Sequence, residues 1–171
     1  MHPVLFLDID GVINPHNYTK YPNENKIQRI FLSLVKRNKN IRTLPPFTVD
    51  QVYHFFDQQA CLYIHKLVKE FDCKIVISSS WRCVFDHTQL KAILDLKNLG
   101  FAFIDATSIS SNRPQEIKEY IQKNKIQKYL VIDDFNMSLY FPNHFILCKN
   151  CFNEENYQSA RKALKNQYEK E

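Results

Sequence analysis

Four aspartates stand where two apolar runs stop. Asp8 and Asp10 close VLFLDI and are followed by Gly11, whereas Asp133 and Asp134 follow YLVI. Ser78, Ser79 and Ser80 come after KIVI, and Asn112-Arg113 precede a segment with helical spacing. Carboxylates that converge on one place repel one another, and they persist most readily around a hard cation with oxygen ligands, for which Mg²⁺ is the natural candidate. A carboxylate held against such a cation is a nucleophile for phosphoryl transfer. A hydroxyl and an arginine on the same rim would hold the phosphoryl oxygens. On a strict strand Asp8 and Asp10 would share a face, and a turn at Gly11 splays them into different roles.

These residues meet only if the elements that carry them lie side by side. Residues 4–9, 74–78, 101–104, 129–133 and 144–148 read as five short, nearly continuous apolar strands. Between them the spacing is helical. Ile27, Ile30, Phe31, Leu34 and Val35 line one face of KIQRIFLSLVKR, and Ala60, Ile64, Leu67, Val68 and Phe71 line a second helix. A third helix runs through Leu90, Ile93 and Leu94 to a cap at Gly100, a fourth opens at Pro114 with Ile117, Tyr120 and Ile121 inward, and Asn153 caps a last one over 153–169. Apolar strands alternating with helices predict an α/β fold with a doubly wound, mostly parallel sheet covered on both faces. Ligands of such sheets bind beyond the carboxyl ends of the strands, where the serines, the arginine and the four aspartates fall.

A chain of 171 residues, 44% hydrophobic and 24% charged, suits a single domain over 1–171 and excludes disorder. Asp8 and Asp10 interrupt the first apolar run and charges break the others, so no transmembrane segment is expected. No Lys or Arg precedes the first run, which argues against a signal peptide. Five cysteines, an odd number, then read as reduced thiols in a cytoplasmic protein. The pair Cys148 and Cys151 has no second pair to complete a zinc site and reads as ordinary thiols. The net charge of +5 is concentrated: residues 20–42 carry seven Lys or Arg against Glu24 alone, and the rest of the chain is near neutral. Such localisation suits an anionic partner.

The motifs LFLDIDGVI, KIVISSSW, NRPQEI and LVIDD, in that order over residues 4–134, resemble the four motifs of the haloacid dehalogenase-like (HAD) phosphatase superfamily. Within it, SSSWR, R-x-x-E-I and LVIDDF look most like the HAD domains associated with Swiss Army Knife RNA repair proteins. The resemblance implies a Rossmann-like, capless enzyme. It makes Asp8 the nucleophile that forms an aspartyl-phosphate and Asp10 the general acid and base. Ser79 and Arg113 would hold the phosphoryl group, and Asp8, Asp134 and the backbone carbonyl of Asp10 would hold Mg²⁺ with Asp133 in support. Ser78 and Ser80 compete with Ser79 for the second motif, and Lys118 competes with Arg113 for the third. Trp81 borders the substrate site, although Trp81 and Phe135 read first as packing rings.

Residues 14–56 form a basic helical insertion, closed in part by Pro45-Pro46, that resembles a flap rather than a full cap domain. A site without a cap admits large substrates. The expectation is therefore a phosphorylated macromolecule, with a phosphoprotein favoured and phosphotyrosine first because its ring carries the phosphate outward. The alternatives are a 3′- or 5′-phosphorylated nucleic-acid end in RNA repair, and a catalytically silent phosphate-binding or receiver-like signalling module. The oligomeric state is left open.

Overall fold

A computed structural model describes residues 2–16, 24–110 and 112–169. Among these residues five parallel strands form one sheet in the order β3-β2-β1-β4-β5: β1 is Val4–Leu7, β2 Lys74–Ile77, β3 Phe103–Ala106, β4 Tyr129–Asp133 and β5 Phe145–Leu147. The central strand β1 is fully buried and sets the register. Leu7 lies opposite Ile77 of β2 on one side and Ile132 of β4 on the other.

Among the described residues six helices accompany the sheet: α1 (Glu24–Arg37), α2 (Pro46–Phe55), α3 (Gln58–Phe71), α4 (His87–Asp95), α5 (Arg113–Lys123) and α6 (Glu154–Tyr168). Alternation along the strands gives the sheet two apolar faces. Leu5, Leu7, Ile75, Ile77, Leu130 and Ile132 pack with residues of α3, α4 and α6 in the larger core. Val4, Phe6, Val76 and Val131 pack with Ile117 of α5 and with Met137 and Phe141 in the smaller one. The chain steps from β1 to β2 to β3 through helices on the first face, then crosses to β4 through α5 on the second. That change of face with change of direction is what right-handed crossovers require. It places the switch point between β1 and β4.

The insertion after β1 is part of this architecture. Val35 of α1, Ile41 of a 3₁₀ turn (Lys39–Thr43), and Val49 and Val52 of α2 all belong to the larger core, while Lys26, Arg29, Lys36 and Arg37 face solvent. Hydrogen bonds pin it to α4 and the turn beyond. Asn38 Nδ2 donates to Asp95 at 3.2 Å, Gln89 Nε2 to the Thr43 carbonyl at 2.7 Å, and Lys97 Nζ to the carbonyls of Tyr53 and Phe56 at 3.2 and 3.1 Å. Residues 17–23 of the expected flap, Lys20 among them, lie outside the described residues. No helix among the described residues is long and apolar enough to cross a membrane.

Three local expectations are corrected. Pro46 opens α2 at its first turn instead of closing the insertion, a position where a missing N–H costs nothing. The third strand begins at Phe103, not at residue 101, because Phe101 turns outward under Lys69 and against His65. Gly100 does not cap α4, which ends at Asp95. The left-handed residue is Asn98, and Gly100 instead makes room, since a β-carbon there would lie 2.6 Å from Cγ of Asp95.

Asp57 links the fold to the end of β1. Its carboxylate caps α3 by accepting from Ala60 N at 2.6 Å, and its own N–H donates to the Ile13 carbonyl at 2.8 Å. Asp57→Ala should cost about 1 kcal/mol of stability, the usual loss for an N-cap. Denaturant unfolding checks this, and a midpoint equal to wild type would mean that the cap contributes nothing.

Candidate active site

Beyond the pairing of Leu7 with Ile77 and Ile132, the next residues of the three central strands stand at one level: Asp8, Ser78 and Asp133. Alternation turns that row toward the face covered by α5. Arg113 is the first residue of α5. Its Nη1 lies 3.0 Å from Asp8 Oδ2 and donates to Asp133 Oδ2 at 2.7 Å. The Ser79 hydroxyl hydrogen-bonds the Asp8 carboxylate, and Phe135 N donates to Asp133 Oδ1 at 2.8 Å.

The turn at residues 9–14 separates the two aspartates of the first motif. The N–H groups of Val12, Ile13 and Asn14 converge on the Ile9 carbonyl at 3.2, 2.9 and 2.9 Å, and Gly11 takes a left-handed φ of 71°. Asp10 is thereby carried to different partners. Its carboxylate accepts from Trp81 Nε1 at 2.9 Å and from Asn14 Nδ2 at 2.5 Å. A β-carbon on Gly11 would lie 2.6 Å from Asp134 Cγ and 2.7 Å from His16 Nε2, so the turn needs glycine for its φ and for the close approach of those groups.

One carboxylate oxygen from each of Asp8, Asp133 and Asp134 lies within 4.8 Å of the other two. Asp8 and Asp133 are buried, and Asp134 is half-buried with its Oδ2 2.8 Å from His16 Nε2. Burial pushes the Asp8 carboxyl up, opposed by Arg113 and Ser79 and assisted by Asp134. Burial likewise raises Asp133, to about 6, and the neighbouring Asp8 adds to the rise while Arg113 opposes it. One guanidinium is too little positive charge for three carboxylates. Oxygen donors at this spacing suit a hard divalent cation.

Of the other expected residues, Ser78 is buried with its hydroxyl unpartnered, Ser80 is exposed at the start of a 3₁₀ turn (Ser80–Cys83), and Lys118 lies over the rings of Tyr140 and Phe141. Trp81 packs against Phe56 and Phe85 and holds Asp10. Phe135 is not a packing ring, being 59% exposed. His16 and Asn14 were not legible as site residues, for they sit in a polar loop without a motif. The cysteines are free, and burial pushes the thiols of Cys61 and Cys73 up to about 12. A groove of ≈ 860 Å³ lined by Tyr53, Cys61, His65, Lys69, Lys97 and Phe101 contains none of Asp8, Asp10, Asp133 and Asp134.

The profile of a family described as the HAD domain in Swiss Army Knife RNA repair proteins matches residues 4–155. No curated protein and no solved structure matches the chain.

The raised carboxyls fix the sign of a pH effect. Groups whose folded pKa lies above the unfolded value add stability below the unfolded pKa, near 3.8, and lose it as pH rises through the folded value, here about 6 for Asp133. A cation replaces the lost protons, so thermal stabilisation by added Mg²⁺ should be small at pH 5 and larger at pH 7. Gly11→Ala, which displaces Asp134, should weaken Mg²⁺ binding about tenfold by calorimetry, on the scale of other supporting contacts to ligands. A pH-independent Mg²⁺ effect, or wild-type affinity in Gly11→Ala, would contradict this geometry.

Proposed function

The chain belongs to the family of HAD domains in Swiss Army Knife RNA repair proteins, and from that premise we propose that it is a Mg²⁺-dependent phosphatase acting on the phosphorylated end of a polynucleotide. The observation that carries the chemistry is the division of the first-motif aspartates. Asp8 faces Arg113, Asp133 and Asp134, while Asp10 is held two residues away by Trp81 and Asn14.

In this reading an oxygen of Asp8 attacks phosphorus and the bond to the ester oxygen breaks. Asp10 gives its proton to that leaving oxygen, then takes one from the water that hydrolyses the aspartyl-phosphate. Ser79 and Arg113 hold the phosphoryl oxygens as charge shifts among them. Asp8, Asp134 and the backbone carbonyl of Asp10 would hold the cation, with Asp133 supporting. The cation would supply charge neutralisation that lets a phosphate dianion approach the carboxylates.

The preference for phosphotyrosine drawn from the geometry of an open site finds no support in the family match, whose description names RNA repair. Two features agree with a polynucleotide end. Phe135 presents an exposed ring directly after Asp134, where the terminal base of a strand could stack, and the solvent face of α1 is basic.

The deciding experiment is a panel of 3′- and 5′-phosphorylated oligoribonucleotides, phosphotyrosyl and phosphoseryl peptides, and an aryl phosphate, each with Mg²⁺ and with EDTA. A phosphorylated RNA end should give the highest kcat/KM, and Asp8→Asn should abolish all turnover. Phe135→Ala should raise KM about tenfold for the oligonucleotide, the scale of one base–aromatic stack, and leave the aryl phosphate within about twofold. A peptide preferred over every oligonucleotide would overturn the substrate, and turnover retained by Asp8→Asn would overturn the nucleophile.

A further inference from the structure

A second charged pair lies beside the carboxylates and belongs to no expected role. Arg82 and Glu116 form an ion pair whose side chains are only 7% and 4% exposed. The guanidinium is a three-way connector. Nη1 donates to the Ser79 carbonyl at 2.6 Å and to the Ser78 carbonyl, and Nη2 donates to Glu116 Oε2. The other carboxylate oxygen, Oε1, accepts from Ser110 N at 2.9 Å. Three segments are therefore joined through one buried contact: the end of β2, the connection from β3 to α5, and the first turn of α5.

Each proposed phosphate ligand sits one link from this contact. Ser79 offers its carbonyl to Arg82 and its hydroxyl to Asp8. Arg113 stands three residues before Glu116, so the two share a face of α5. Stability alone explains the pair poorly, since the desolvation of two charges offsets most of their attraction. Arg82 Nε adds to that cost because it is buried without a partner. What a planar fork against carbonyls and a carboxylate supplies is direction.

We propose that Arg82 and Glu116 are a positioning pair that sets the Ser79 hydroxyl and the Arg113 guanidinium at the correct separation around Asp8. Neither touches substrate. The proposal rests on the phosphatase reading above, in which Ser79 and Arg113 bind the transferring group.

Replacing both partners with apolar residues of similar length, Arg82→Met with Glu116→Leu, removes the fork without leaving a lone buried charge. This double variant should fold, with a Tm no lower than that of Glu116→Gln. Its kcat/KM for an aryl phosphate should fall about ten- to hundredfold, as expected for ligands misplaced by about 1 Å. Arg82→Lys keeps the charge but not the fork and should lose turnover to a similar degree.

A double-mutant cycle separates positioning from mere support of the fold. If Glu116 acts through Arg113, Glu116→Gln should cost at least about tenfold in the wild-type background and less than about twofold alongside Arg113→Lys. Equal, multiplicative losses would overturn the proposal, as would wild-type kcat/KM in the double apolar variant. Should that variant fail to fold, the cycle decides. A wild-type protein inactive on every phosphorylated substrate would instead overturn the phosphatase reading. The affinity for inorganic phosphate with Mg²⁺, read by calorimetry, then tests the pair. Glu116→Gln should weaken it about tenfold, and unchanged affinity would overturn the positioning role.

Discussion

Mutual repulsion among Asp8, Asp133 and Asp134 is the constraint that the rest of the molecule answers. Two carboxylates about 4 Å apart repel by about 4 kcal/mol at an effective permittivity of 20. Three such contacts rival the net stability of about 5–15 kcal/mol that a whole domain possesses. The cluster survives because stiff surroundings hold it and direct partners offset it. Arg113 stands between Asp8 and Asp133, the Ser79 hydroxyl and the Phe135 N–H each hydrogen-bond one carboxylate, and His16 meets Asp134. Central parallel strands packed on both faces supply the stiffness, and the switch point between β1 and β4 is where two of them end together.

Topology also distributes the work. One register level supplies Asp8, Ser78 and Asp133, and the two-residue period of the strand turns them toward α5, whose first residue is the arginine they need. Had β1 continued as a strand, Asp10 would have joined the same face and added a fourth negative charge to the cluster. The turn closed on the Ile9 carbonyl prevents this by carrying Asp10 to Trp81 and Asn14. A single left-handed glycine thus converts two acidic residues of like spacing into two groups with separate neighbours.

The fold and the carboxylates were legible because both follow from runs of residues. An apolar stretch that stops at acid announces a buried strand and what lies at its end, and LFLDIDG and LVIDD each do so. Legibility failed where position depends on one contact. The strand expected at 101–104 begins two residues later, since an edge strand needs no apolar continuity and carries Asp105 while Phe101 packs under Lys69. His16 and Asn14 become site residues only through the turn at Gly11, which no period encodes. Arg82 and Glu116 stood inside motifs that drew attention for their serines and for Arg113. Their pairing spans 34 residues and required α5 to be laid against the end of β2.

The described residues include no large lid, and on the proposed reading selectivity falls to the rim. Between the end of β2 and the start of α5 the described residues build a 3₁₀ turn, α4 and β3, and nothing of cap-domain size among them. Single exposed apolar residues are ordinary on a protein surface. Here, however, Val84 follows β2, Ile109 follows β3, and Phe135 and Leu139 follow β4, all beyond the carboxyl ends of strands and all more than half exposed. Loops held by a rigid sheet are where recognition is built in such folds. On the proposed reading, the buried row of aspartates handles a phosphate common to many molecules, and the apolar rim meets whatever carries it. Flat and branched apolar side chains favour stacking over the reading of base edges, so on that reading they would hold a phosphorylated strand end by its terminal base whatever that base is.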